Sequence, residues 1–303
     1  MRRTYKEKIY RCGDYIEVQV FPVFKRVDGR RKKKSKPTSE MQAKLNQKNA
    51  ERELTRLLNA NFTERDISLT LTFRDEWLPE SIEEAERLVK NFIRRLKRLR
   101  DRRGLDELRY IVIPGPGRFH FHIPMSGGVD IKELQEMWPY GYANAIHFEF
   151  DENGLEGHAR YIAKQFEADQ YGGEDLLSLL GVDETTGEVF DTSSDSQASH
   201  LPLKGKARAK GKRRYSCSRN IIRPEAEEKE GRISAARVEE LATFDNGSRE
   251  IYEKLYPGYS LSYCRPYYNE ENGGYYLEIK MYKKDADFMS RKKRMKKYER
   301  KNN

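Results

Sequence analysis

The chain has 303 residues, of which 36% are charged and 37% hydrophobic, and it carries a formal net charge of +10. A chain of this length is long enough for one large domain or two small ones. Its excess of lysine and arginine favours a polyanionic partner such as nucleic acid. The alternative is a basic but otherwise ordinary soluble protein.

The cysteine pattern argues against a disulfide framework and a zinc finger. Cys12, Cys217 and Cys264 are odd in number, far apart and without metal-binding spacing. No run approaches the ~20 apolar residues of a membrane span, and no apolar segment follows the basic N-terminus. The sequence therefore predicts a cytoplasmic protein in a reducing compartment, with no membrane partner.

Shifts in composition divide the chain into five predicted sections. They are an N-terminal strand pair and helix (residues 1–61), a core domain (62–171), an acidic flexible loop (172–203), a basic segment with a C-terminal α/β addition packing on the core (204–285), and a basic tail (286–303). Within the core, apolar residues alternate over residues 67–73 and repeat at helical spacing from Ile82 to Leu99. The elements follow the order β, α, β, β, α, β, α, which predicts an α+β fold with a mainly antiparallel sheet and flanking helices.

Two histidines stand out in residues 117–124, which read Gly-Arg-Phe-His-Phe-His-Ile-Pro. In a strand His120 and His122 point to the same face, with Cα atoms roughly 7 Å apart, whereas Phe119, Phe121 and Ile123 point to the other. Two imidazoles at this spacing are able to bind one metal ion. The alternative is a pair of partly buried histidines with ordinary hydrogen-bond partners.

A second motif lies on the amphipathic helix of residues 154–166. Its apolar face holds Leu155, Ala159, Ile162, Ala163 and Phe166. Tyr161 lies on the opposite side with His158 and Lys164, at helical spacings of three residues. Because a phenol titrates near pH ~10 in water, it needs help to attack a phosphate at neutral pH, and a neighbouring ammonium provides it. The alternative is a surface tyrosine beside a lysine.

Taken in order, these motifs resemble those of HUH endonucleases of the rolling-circle replication initiator type, found in bacterial plasmids and phages. Residues 68–73 resemble the first motif strand, His120-Phe121-His122 the histidine–hydrophobic–histidine motif, and Tyr161-Ile162-Ala163-Lys164 the Tyr-x-x-Lys motif of single-tyrosine members. The resemblance covers residues 60–170.

The resemblance implies a ferredoxin-like or RRM-like core with N- and C-terminal additions, and a metal-dependent DNA endonuclease and strand transferase. His120 and His122 would hold Mg²⁺ or Mn²⁺. Tyr161, aided by Lys164, would nick single-stranded or hairpin origin DNA, leaving a 5′-phosphotyrosyl intermediate and a free 3′-hydroxyl, and would later rejoin strands. A host polymerase would extend that hydroxyl. No Gly-x-x-x-x-Gly-Lys-[Ser/Thr] motif is present, so a host helicase is implied.

The family often places a third, acidic metal ligand on the strand before the histidines, but residues 112–115 contain no acid. His147 and Glu149 are candidate substitutes. Arg118 is a candidate DNA-binding residue. A second candidate is the basic segment with Lys212, Arg213 and Arg214, for which the alternative is a solvated linker.

Two other functions remain open. A transposase or relaxase of a mobile element would share the chemistry on the same fold. A non-catalytic single-stranded nucleic-acid-binding protein would instead use Phe119 and Phe121 to stack bases. Only the enzyme needs Tyr161 beside His120 and His122 on one face of the sheet.

Overall fold

A computed structural model of the protein describes residues 4–23, 39–115, 117–168, 216–243, 249–270 and 273–286. The chain divides into two compact units. The terminal unit contains Met1–Lys36, Phe150–Leu155 and Arg223–Asn303, and the central unit contains Pro37–Glu149 and Glu156–Ile222. In these described ranges no helix combines the length and apolar character needed to cross a membrane.

Ten strands and six helices make up the described part of the chain. The strands are β1 (Thr4–Cys12), β2 (Tyr15–Val23), β3 (Ile67–Thr72), β4 (Ile111–Pro114), β5 (His120–Met125), β6 (Ala143–His147), β7 (Ser216–Cys217), β8 (Ala226–Ser234), β9 (Tyr259–Asn269) and β10 (Gly274–Lys283). The helices are α1 (Ser39–Asn61), α2 (Ile82–Arg102), α3 (Ile131–Glu136), α4 (Glu156–Ala168), α5 (Ala235–Thr243) and α6 (Arg249–Leu255).

The central unit is built on an antiparallel sheet in the order β6-β3-β5-β4-β7. One face is apolar because every second residue of β3, β5 and β6 belongs to the core, and α2 and α3 pack against that face. Ser81 begins α2 by accepting a hydrogen bond from the Glu84 amide at 3.2 Å, as a helix cap does. The apolar side of α2 is then buried at helical spacing.

The other face of this sheet, here the site face, carries polar residues. Ser68, Thr70 and Thr72 alternate with the core residues of β3, and His122 and His120 of β5 lie opposite Thr70 and Thr72. Residues opposite each other in an antiparallel pair share a face, so all five side chains lie on the site face. Helices α1 and α4 pack together, and α4 contacts the site face through His158, Tyr161 and their partners.

The terminal unit contains an antiparallel sheet in the order β8-β1-β2-β10-β9. Its apolar face is covered by α5 and α6, which bury Val238, Leu241 and Tyr252 against it. One charged group is buried there as well. The Glu7 carboxylate is 1% exposed and accepts two hydrogen bonds from Arg232, at 2.6 and 2.7 Å, and one from the Tyr256 hydroxyl.

The predicted α+β fold with antiparallel sheet and flanking helices is confirmed, including the order β, α, β, β, α, β, α between β3 and α4. Residues 1–61, predicted as one section, fall in both units: β1 and β2 pair with C-terminal strands, whereas α1 packs with α4. The predicted loop 172–203 lies outside the described residues, as does the tail 286–303 apart from Ala286.

Candidate active site

The two histidines of β5 stand side by side on the site face. Their rings are perpendicular, with centroids 5.1 Å apart. His122 is buried, with 3% of its surface exposed, and His120 is half-buried. One edge of the pair is therefore open to a solvent-borne ligand, while the other is held inside the protein.

Hydrogen bonds from each Nδ1 orient the two rings. His120 Nδ1 lies 2.8 Å from the Arg118 carbonyl oxygen, and His122 Nδ1 lies 3.3 Å from Thr70 Oγ1. A carbonyl oxygen only accepts, so Nδ1 of His120 carries the proton and Nε2 carries the lone pair. Such a bond on the far nitrogen is the arrangement that orients histidines as metal ligands.

A glycine makes room for His120. A Cβ placed on Gly115 would lie 1.9 Å from His120 Nε2, far inside contact distance. Any side chain at position 115 would therefore displace the imidazole edge that carries the lone pair. The Pro-Gly-Pro-Gly sequence at 114–117 predicts only a turn, and the need for glycine beneath the ring becomes visible only in three dimensions.

Tyr161 reaches the same face from α4. Its ring stands at 85° to the ring of His122, with centroids 6.1 Å apart, and 59% of its surface is exposed. The predicted apolar face of the helix is buried at Ala159, Ile162 and Ala163. Tyr161 and Lys164 are both exposed, as the helical spacing predicts.

Helix α1 holds α4 in place. Gln47 Nε2 donates to the Ala163 carbonyl oxygen at 2.7 Å, and this bond is buried. Arg160 bridges the helices by donating to Glu51 at 2.9 Å and to Glu156 at 2.6 Å. These contacts set the position of the helix turn from which Tyr161 projects.

His158 forms a further part of the site. Its Nε2 lies 2.9 Å from Ser68 Oγ, and its ring contacts Phe148 and Tyr161 at centroid distances of 5.3 and 6.5 Å. Burial lowers the pKa of His158 below its ordinary value, so the imidazole is neutral at pH 7. Sequence analysis placed His158 beside Tyr161 but assigned it no role. A histidine three residues before the tyrosine was the available signal.

The two candidate third ligands do not complete a metal site. His147 lies opposite Ile67, a core residue, so its side chain is on the face away from His122. Glu149 is exposed beyond the end of β6. In the described ranges no group of three or more His, Cys, Asp or Glu side chains could hold a metal ion.

The chemistry of the donors decides which ion the pair fits. Mg²⁺ prefers an octahedral set of oxygen ligands, whereas imidazole suits transition-metal ions. His120 and His122, oriented through Nδ1, fit part of the coordination shell of an imidazole-accepting ion such as Mn²⁺. They do not form the oxygen-rich set that Mg²⁺ favours.

The candidate DNA-binding residues have different outcomes. Arg118 donates to the Phe73 carbonyl oxygen at 2.9 Å and pairs with Asp75 at 2.7 Å, and its side chain is 52% exposed. Its role toward DNA stays a prediction. Lys212, Arg213 and Arg214 lie outside the described residues.

The aromatic platform of the non-catalytic alternative is not present on this sheet. Phe121 is 1% exposed and lies in the core beneath α2 and α3, and Phe119 packs against the same core. Neither ring offers a free face to a base. That alternative therefore loses the two residues on which it was based.

One comparison bears on this region of the chain. Residues 66–170 match a family model of replication-associated proteins of the ORF2 type. The matched segment contains both histidines of β5, together with Tyr161 and Lys164. The match supports a place for this part of the chain among replication-associated proteins, and hence a role in DNA replication. No curated protein and no solved structure matches the chain.

Proposed function

We propose that the protein is a replication initiator of the single-tyrosine HUH type, which nicks single-stranded origin DNA. The observation that carries this proposal is the position of Tyr161, whose ring lies 6.1 Å from that of His122 on one sheet face. The match of residues 66–170 to a replication-associated family supports the same function. Rolling-circle replication of a plasmid or phage is the process that such a nick begins.

In the proposed reaction the Tyr161 hydroxyl oxygen attacks a backbone phosphorus atom. A bond forms between the phenolic oxygen and phosphorus, and the bond from phosphorus to the 3′-oxygen breaks in line with it. The phenol loses its proton and the departing 3′-oxygen gains one through solvent. The products are a 5′-phosphotyrosyl link and a free 3′-hydroxyl.

Lys164 and the histidine pair would stabilise the charge of this reaction. Lys164 is exposed on the same side of α4 as Tyr161, where its ammonium would favour the phenolate and the charged phosphate. When bound at His120 and His122, a divalent ion would supply charge neutralisation at the scissile phosphate. The Thr70 hydroxyl and the Arg118 carbonyl would hold the two rings in orientation.

The partners follow from the chemistry. The phosphate must reach a tyrosine at the protein surface, so the substrate would be single-stranded or an extruded hairpin. The covalent link conserves the energy of the broken bond, so a later 3′-hydroxyl would rejoin the strand without ATP. A host polymerase and helicase in the cytoplasm would extend and unwind the nicked DNA.

The test is covalent capture of DNA. The protein is mixed with Mn²⁺ and labelled single-stranded DNA covering the origin of the element that encodes it. We expect a protein–DNA adduct that resists denaturation. Tyr161→Phe should abolish it, and so should the double change His120→Ala with His122→Ala. The matched control is Tyr267→Phe, which alters a tyrosine that is 64% exposed in the terminal unit.

An adduct that persists in Tyr161→Phe would move the nucleophile elsewhere, with Tyr171 as the next tyrosine to test. A transposase or relaxase would give the same adduct, because the chemistry is shared. Replication is therefore tested separately, by asking whether Tyr161→Phe prevents an origin-bearing plasmid from being maintained in the host.

A further inference from the structure

An exposed stripe of side chains follows β6, which is an edge strand of the central sheet as described. Ala143 and Ala145 point into the core, so the intervening residues Tyr142, Asn144 and Ile146 point to the site face. All three are exposed, Tyr142 by 70% and Ile146 by 53%. The largest of these side chains is therefore presented to solvent on the face that bears the histidine pair.

Strand register aligns Tyr142 with the histidine pair. The Thr72 amide donates to the Tyr142 carbonyl oxygen at 2.9 Å, and His120 lies opposite Thr72 on its other side. Tyr142, Thr72 and His120 thus form one row across three adjacent strands. At ~4.8 Å per strand, Tyr142 is about 10 Å from His120.

A cation accompanies this tyrosine. The Arg74 guanidinium carbon lies 5.4 Å from the centre of the Tyr142 ring, within the range of a cation–π contact. Across the described ranges Arg74 has no carboxylate partner. The aromatic surface continues nearby, where Trp77, 55% exposed, meets Tyr140 edge-on at 5.9 Å.

We propose that Tyr142 and Arg74 form a base-stacking subsite for single-stranded DNA beside the histidine pair. An exposed aromatic ring with an adjacent arginine is the combination by which proteins bind a base and its phosphate without reading sequence. A distance of about 10 Å corresponds to about three stacked nucleotides at 3.4 Å each. The stacked base therefore lies within about three nucleotides of the scissile phosphate. That position rests on the proposed function, whereas the stacking itself does not.

A single exposed tyrosine is common and carries no inference by itself. Three features distinguish Tyr142: its row includes His120, its ring carries an unneutralised arginine, and the edge strand continues with exposed Asn144 and Ile146. Together they form a continuous ledge leading to the histidines. Tyr142 is a binding residue in this proposal, since it touches the strand but not the reacting phosphate.

The first arm of the test measures binding without chemistry. Fluorescein-labelled oligodeoxythymidylate of about 16 nucleotides is titrated with the full chain in EDTA, and the dissociation constant is read from anisotropy. Tyr142→Ala should weaken binding by about 5- to 150-fold, the range for loss of one stacked base. Tyr142→Phe keeps the ring and should bind like the wild type. Tyr267→Ala removes a similarly exposed tyrosine of the terminal unit and should change nothing.

The second arm locates the contact. One thymine is replaced by 5-iodouracil, the complex is irradiated, and the cross-linked peptide is identified by mass spectrometry. Cross-linking at Tyr142 supports the subsite. The proposal is overturned if the wild type does not bind the oligonucleotide, if Tyr142→Ala binds as tightly as Tyr142→Phe, or if the cross-link maps to a residue outside this ledge.

Failure of the nicking proposal gives a different result. Tyr161→Phe should form no adduct with origin DNA but should keep the wild-type dissociation constant and the Tyr142 cross-link. If Tyr161 proves not to be the nucleophile, these binding results are unaffected. Conversely, a normal adduct in a protein whose Tyr142→Ala variant binds DNA normally would remove only the subsite.

Discussion

The ring of Tyr161 stands at 85° to the ring of His122, and their centroids are 6.1 Å apart. The two residues come from different elements, α4 and β5, and differ in exposure: 59% of Tyr161 is accessible but only 3% of His122. A nucleophile must be reachable by a bulky DNA phosphate, whereas a ligand must be held in a set orientation. Both requirements are met on one sheet face.

Lys164 should affect the rate of adduct formation. Lys164→Gln removes the ammonium on the Tyr161 side of α4, and we expect initial rates to fall by about 10- to 100-fold, less than the ~10²–10³ for a buried oxyanion donor. Lys164→Arg keeps the charge and should retain most of the activity. Lys90→Gln alters a lysine of α2 that is 44% exposed and serves as the control. Equal rates for Lys164→Gln and wild type would remove Lys164 from the mechanism.

Gly115→Ala should impair metal binding with little effect on the fold. The added Cβ would meet the His120 ring at 1.9 Å, and the ring can move because it is the far end of a side chain. We expect weaker Mn²⁺ binding by isothermal titration calorimetry and less adduct at limiting Mn²⁺.

Gly157→Ala provides the contrast for that substitution. Its Cβ would meet nothing within 4 Å, and alanine in a helix is more stable than glycine by up to ~1 kcal/mol. Mn²⁺ binding should therefore be unchanged and the free energy of unfolding slightly higher. A Gly115→Ala variant with unaltered Mn²⁺ affinity would contradict the assignment of His120 as a ligand.

His158 should make stability depend on pH. Because burial holds its pKa below the ordinary value of 6.5, the unfolded chain takes up this proton first as pH falls. The contribution is present above about pH 6.5 and is lost as pH falls through the folded-state pKa. The groups that contact the ring are Ser68, Phe148 and Tyr161, and none of them titrates in this range.

The measurement is urea unfolding at several values between pH 7 and pH 5. His158→Gln keeps a polar partner for Ser68 but does not titrate, so its stability should fall less over this interval than that of the wild type. The other four histidines are common to both proteins and cancel in the difference. Parallel pH profiles would show that His158 is not the group responsible.

Arg232 should matter for the stability of the terminal unit. Arg232→Ala leaves the Glu7 carboxylate, 1% exposed, without its two-fold partner. Removing one member of a buried pair costs about 3–5 kcal/mol, and the partial exposure of Arg232 favours the lower end. The pKa of Tyr256 is raised, chiefly by burial and also by Glu7, so its phenol stays neutral and does not replace the cation.

Chemical denaturation measures this cost. Arg237→Ala is the matched control, because Arg237 pairs with Glu240 on the helix surface and both are more than a third exposed. Exposed pairs contribute about 0–1 kcal/mol. Similar losses for the two variants would mean that Glu7 is not dependent on Arg232.

The arrangement of residues within single elements could be predicted from local periodicity. Alternation in β5 predicts that His120 and His122 share a face, and helical spacing predicts that Tyr161 is turned away from the buried side of α4. Both follow from backbone geometry and from which neighbouring residues are apolar. The order of elements likewise predicts the α+β fold of the central unit.

Relations between elements depended on the tertiary structure. His147 alternates with apolar neighbours as a ligand would, but strand register places it opposite core residue Ile67. The pairing of β1 with β8 and β2 with β10 joins the two ends of the chain, for which no local signal exists.

Within the site, the sequence by itself determined which side chains turn outward from their own strand or helix. Only the tertiary structure decided that α4 lies over the site face, that Gly115 lies beneath His120, and that Tyr142 falls in the same row. The physical reason is that periodicity reports which side of an element is buried but not what it is buried against. Register and helix packing, which arise from contacts between distant residues, supply that second piece of information.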